Sequence, residues 1–137
     1  MSAILDADDV CRVSDDVAGP ENRSFGISNA TSVMRGYFGA GCERGILAWV
    51  FARPELFQSV PDELSNIVDQ SHIVYLVASP EVLEKRLIER GEPEKISYAK
   101  TRLELIEKLP YAKVDTSNIS ASDSIVEKVQ NWIDGAV

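Results

Sequence analysis

Cysteine, histidine and basic charge are the scarce commodities of this chain. Its 137 residues hold two cysteines, Cys11 and Cys42, and a single histidine, His72. Two cysteines make neither a disulfide framework nor a metal set, so reduced thiols in a cytoplasmic protein are expected. Cys11 stands among acids that oppose a thiolate and is read as inert. His72 precedes an apolar run without an obvious partner and is read as structural. The net charge of −8 leaves no basic patch, which excludes a general nucleic-acid partner and an anionic membrane surface. No apolar run approaches the roughly 20 residues that a membrane span needs. The N-terminus, MSAILDADDV, has no basic region and turns acidic at once, unlike a signal peptide.

What is present is a 45% hydrophobic chain, enough for one ordinary domain spanning residues 1–137. The stretch from His72 to Gly91 is its clearest piece. Ile73 to Ala78 is apolar on both faces, which suits a strand covered on both sides. Ser79-Pro80-Glu81 then reads as a helix N-cap, a proline at the first helical position and an acid in the first turn. At about 100° per residue, Arg86 and Arg90 fall within the stripe formed by Val82, Leu83 and Leu87. Arginines so placed call for an anionic partner, either a ligand or a buried carboxylate.

Along the rest of the chain, Ala3-Ile4-Leu5 reads as a strand running into the acidic loop Asp6-Ala7-Asp8-Asp9. Residues 14–28, rich in Asp, Gly, Pro, Asn and Ser, read as a loop. A helix is predicted from Asn29 to about Phe38, with Ala30, Val33 and Tyr37 buried and Gly39 and Gly41 ending it. Gly45 to Phe51 reads as a second strand covered on both faces. A helix starting at Pro54 is expected to break at Pro61 and restart at Asp62. A further helix is expected from Ile96 to Leu109, then a weak strand at Ala112–Asp115 and a closing helix capped by Ser120 or Ser122. Trp49 and Tyr75 are read as core residues.

Strands alternating with helices predict an α/β three-layer sandwich with a mainly parallel sheet. Ligands of such sheets collect beyond the carboxyl ends of the strands. That rule selects Asp6, Asp8 and Asp9, then Arg53, then Ser79, then Thr116, Ser117 and Asn118.

LDADDVCR resembles the L-D-G-D-x-x-R motif of small P-loop kinases, with Ala7 in place of the usual Gly and Arg12 one position late. VYLVASPEVLEKRLIERG is similar to the fourth strand and lid-entry helix of shikimate and adenylate kinases. VDTSNISASDSIVEKVQNWI is similar to their last strand, base-side loop and terminal helix. NATSVMRGYFGAGCERGILAWVFARPEL resembles uncharacterised bacterial nucleotide-kinase-like ATPases. The resemblance implies ATP and Mg²⁺ as cofactors and a small-molecule acceptor. It implies Asp8 as the carboxylate that takes the acceptor's proton, beside Asp6 and Arg53 as substrate-binding residues. It implies Arg86, Arg90, Arg102, Ser117 and Asn118 on the nucleotide side, with Arg90 directed at the phosphates that carry charge in the transition state.

The family's own signature is missing. A Walker A loop needs G-x-x-x-x-G-K-[ST], yet no Gly-Lys pair occurs and the first 84 residues contain no lysine. The resemblance therefore implies a kinase-like domain without its first strand, phosphate loop and first helix, about 25 residues. In those kinases the first strand lies between the third and fourth. Its removal would expose two interior edges. The sheet would then close directly, stay marginal, or be filled by another copy or by the missing N-terminal segment. The expected activity is phosphoryl transfer from ATP to a hydroxyl or phosphate acceptor, weak or absent in this chain. The alternatives are a non-catalytic nucleotide-sensing or interaction module, and a structural remnant.

Overall fold

The computed structural model describes residues 1–11, 20–49, 54–118 and 122–136. The chain divides into two compact units, Met1–Ser71 and His72–Val137. Each is a mixed α/β unit with its own short two-stranded parallel sheet.

In the first unit, β1 (Ser2–Asp6) pairs in parallel with β2 (Arg44–Ala48), with Ile4 opposite Ile46. Between them come the short helix α1 (Asp8–Cys11) and the long helix α2 (Pro20–Gly39), and α3 (Pro54–Leu64) follows β2. The alternating apolar positions of β1 bury Ala3 and Leu5 while Ser2, Ile4 and Asp6 stay exposed. Leu5, Ile27, Ala30, Met34, Val60 and Leu64 form the core, with Val33, Tyr37, Leu47 and Trp49 packed against it. Helix α2 comes close to β2 at Gly45, where a Cβ would overlap Met34 Cε and lie 2.9 Å from Phe38 Cζ. Arg35 of α2 donates to the Glu63 carbonyl and, at 3.4 Å, to Asn66 Oδ1, tying α2 to the end of α3.

The second unit pairs β3 (Val74–Val77) with β4 (Ala112–Asp115), also in parallel. Helix α4 (Pro80–Glu89), a 3-10 turn at Pro93–Lys95 and helix α5 (Ile96–Glu107) make the crossover, and α6 (Ser122–Ala136) follows β4. Tyr75, Leu87, Leu103 and Val114 are buried. The His72 ring stands edge-on to Trp132 of α6 at 5.5 Å, a partner not apparent from the sequence.

Several sequence expectations need correction. The stretch read as a loop from residue 14 is helical from Pro20. Proline at a first helical turn, with Ile27, Ala30 and Met34 buried three and four residues apart, outweighs the turn propensity of the Gly, Asn and Ser residues between them. Asp8 and Asp9 stand in the first turn of α1 rather than in a loop. Helix α3 runs through Pro61 to Leu64, and turns replace the expected restart. The strands expected to be covered on both faces are not: Ile46 is 56% and Leu76 55% exposed. Both ladders are parallel as expected, but they form two sheets instead of one.

Candidate functional site

Asp6 and Asp8 in the first unit and Ser117 and Asn118 in the second stand at or just past the carboxyl ends of strands, while Arg86 and Arg90 belong to α4 and its C-cap and Arg102 to α5. At the end of β1, Ala7 donates its N–H to the Ala48 carbonyl at 2.9 Å and is fully buried, so the chain turns sharply there. Asp6 Oδ1 accepts the Asp8 N–H at 3.0 Å, a local turn of the kind that short Asp and Asn side chains close. This leaves the Asp8 carboxylate exposed at the first turn of α1. Asn29 of α2 braces the turn by donating to the Val10 carbonyl at 3.0 Å. Arg12 and Arg53 lie outside the described residues.

In the second unit, Ser79 caps α4 as expected: its hydroxyl accepts the Val82 N–H at 3.3 Å, with Pro80 at the first helical position. The Ser79 N–H donates to Ser117 Oγ at 2.7 Å, and Ser117 Oγ in turn donates to Asp115 Oδ1 at 2.6 Å. The Ser117 N–H reaches the same carboxylate oxygen at 2.8 Å. These two bonds, the hydroxyl first, hold the Asp115 carboxyl below the ordinary carboxylate range. Thr116, nearly fully buried, sends both its N–H and its hydroxyl to the Val77 carbonyl, at 2.7 and 2.9 Å. The strand ends and the N-terminus of α4 are thus sewn into one polar network.

Arg86 belongs to this network. Its guanidinium donates to Thr116 Oγ1 at 3.0 Å and to the Thr116 carbonyl at 2.6 Å. The partners it has are the Thr116 hydroxyl and carbonyl, with the Asp115 carboxylate near enough for the two charges to favour each other. Arg90 is the C-cap of α4, 72% exposed, 3.4 Å from Glu92. Its backbone is still αR and its N–H donates to the Arg86 carbonyl at 3.1 Å, but at the open last turn, before Gly91 at φ +75°, its side chain stands exposed beside Glu92. Lys95 first, and Arg90 further, hold the Glu92 carboxyl below its usual range. Arg102 of α5 donates to Tyr98 Oη at 2.5 Å and lies 5.2 Å from the centre of that ring. Ser117 is engaged as described, while Asn118 is exposed at the end of the β4 loop.

Sequence reasoning placed Thr116 near the site without seeing its part as the anchor of Arg86. The signal was available in Asp115-Thr116-Ser117, three short polar side chains in succession at a strand end, each able to bond nearby backbone. An open depression of about 560 Å³ lies along α4, lined by Glu81, Glu84, Lys85, Ile88 and Glu89. Its three carboxylates repel a phosphate. Among the described residues no cluster of three or more His, Cys, Asp or Glu could hold a metal, and no helix is long and apolar enough to cross a membrane. Comparison with protein-family models, curated proteins and solved structures finds no match for the chain.

Proposed function

We propose that the chain is a nucleotide-handling domain of the P-loop-kinase type, carrying the acceptor-side and base-side parts of a phosphoryl-transfer site and turning over weakly by itself. The observation that carries this reading is the strand pairing. Each of the two parallel pairs, β1–β2 and β3–β4, joins strands that follow one another in the chain through a helical crossover, the unit from which a three-layer kinase sandwich is built. The polar residues at the strand ends support the same reading, since ligands of parallel sheets gather there.

In this reading the exposed Asp8 carboxylate accepts the proton of an acceptor hydroxyl as its oxygen bonds to the γ-phosphorus. The bond from that phosphorus to the bridging oxygen breaks, and ADP leaves. Arg90, held only by an exposed ion pair of small energy, is free to turn toward the phosphates. Asn118, beside the Ser117 network, faces the base. Mg²⁺ would arrive with the nucleotide and neutralise phosphate charge. The internal hydrogen bonds of Arg86 and Arg102 favour a second reading, a nucleotide-sensing or interaction module without chemistry, because they engage two of the expected cations.

An ATP-consumption assay with hydroxyl and phosphate acceptors separates the two. The kinase reading expects slow, acceptor-dependent turnover that Asp8→Asn abolishes. Turnover that Asp8→Asn leaves unchanged would remove Asp8 from the chemistry, and no turnover with any acceptor would leave the sensing reading.

A further inference from the structure

Among the described residues of the first unit, the β1–β2 sheet has one face packed on α2 and one face bare. Side chains alternate along strands, so the buried Ala3 and Leu5 put Ser2, Ile4 and Asp6 on the bare face. On β2, the close approach of Gly45 to Met34 and Phe38 and the packing of Leu47 on the core put Arg44, Ile46 and Ala48 on it too. The register makes three rows: Ser2 beside Arg44, Ile4 beside Ile46, and Asp6 beside Ala48. Ile4 is 71% and Ile46 56% exposed. Parallel sheets are ordinarily covered on both faces, and two adjacent bare isoleucines at the centre of one are a contact surface in want of a partner.

The charges on this face identify the partner. Arg44 stands at one end of the ladder and Asp6 at the other, with Asp8 and Asp9 exposed just beyond Asp6. At the Arg44 end, Glu43 lies 3.5 Å from the amino group of Met1, and the two neutralise each other. The face is therefore positive at one end, apolar in the middle and negative at the other end. Turned over about a two-fold axis, such a surface complements itself, and a two-fold contact requires that complementarity. We propose that this face docks on the same face of a second copy of the chain. Ile4 and Ile46 of each copy meet at the axis, the strands of the two copies run antiparallel, and Arg44 of each copy meets Asp6 of the other.

Sedimentation velocity over a range of concentrations tests the proposal. The unaltered chain is expected to pass from monomer to dimer as concentration rises, and added salt should weaken the dimer. Arg44→Glu reverses two contacts at once and should weaken association about ten-fold, and Asp6→Arg should do the same. An equimolar mixture of these two variants regains both pairs and should dimerise as the unaltered chain does. Ile46→Lys should be monomeric throughout, with unchanged circular dichroism. Should Asp6→Arg unfold through loss of its bond to the Asp8 N–H, Arg44→Glu and Ile46→Lys decide the matter alone. A chain that stays monomeric at every concentration, a dimer that Arg44→Glu leaves as tight as before, or a dimer that survives Ile46→Lys overturns the proposal.

Discussion

Replacing Arg86 with methionine keeps the length and the apolar stem of the side chain and removes only the guanidinium. The loss is two hydrogen bonds to Thr116, one to a carbonyl and one to a hydroxyl. Bonds from a charged donor are worth about 1.5–3 kcal/mol each when deleted. Arg86 is half-buried, so water recovers part of the loss at the Thr116 carbonyl, and a net cost of about 2 kcal/mol is expected. Thr116→Val removes the hydroxyl that accepts from Arg86 and donates to the Val77 carbonyl, at a cost of about 1–2 kcal/mol. Because the two residues share a bond, the double variant should lose less than the sum, with a coupling of about 1 kcal/mol. Urea unfolding of the four chains, followed by circular dichroism, gives all these quantities. An Arg86→Met loss below about 0.5 kcal/mol, or strict additivity with Thr116→Val, would refute the anchoring of α4 to the end of β4.

Two further outcomes are expected. Thr31 is 2% exposed and its hydroxyl has no hydrogen-bond partner, so Thr31→Val, which keeps the shape, should leave stability unchanged or raise it by up to about 1 kcal/mol in urea unfolding. Burial, with Tyr111 nearby, pushes the Tyr75 phenol up to about 12 from an ordinary 10.0. A folded pKa above the unfolded one favours the native state below pH 10, and that advantage is lost as pH rises toward 12. Ultraviolet titration should show a late phenol that Tyr75→Phe removes.

Much of the second unit is legible from its residues. Ser79-Pro80-Glu81 fixes the start of α4, Gly91 follows its end, and the apolar run Ile73–Ala78 fixes β3, because each signal is local and strong; Ala112–Asp115 carries a weaker one. The first unit was less legible. The helix across Pro20–Gly39 is held by the contacts of Ile27, Ala30 and Met34 with Leu5, Val60 and Leu64, partners far away in sequence, while its own Gly, Asn and Ser argue for a loop. The helical projection gives Arg90 its angle but not its exposure, because the last turn of α4 has no neighbour that buries it. Arg86 was rightly singled out as needing a partner, but periodicity carries no information about an acceptor 30 residues away on another strand. The apolar strands predict two covered faces, and Ile4, Ile46 and Leu76 show that apolar composition states what a strand would bury and not what is there to bury it.

The most direct test of the nucleotide-handling proposal is thermal unfolding of the chain in rising Mg-ATP, against controls matched in Mg²⁺ and ionic strength. With a dissociation constant of about 1 mM, a concentration of about 10 mM adds about 1.4 kcal/mol, a rise of about 4 °C in Tm for a chain of this size. The account predicts a saturable rise of that order, reduced by Asn118→Ala. A melting temperature that Mg-ATP leaves at the control value throughout would contradict it.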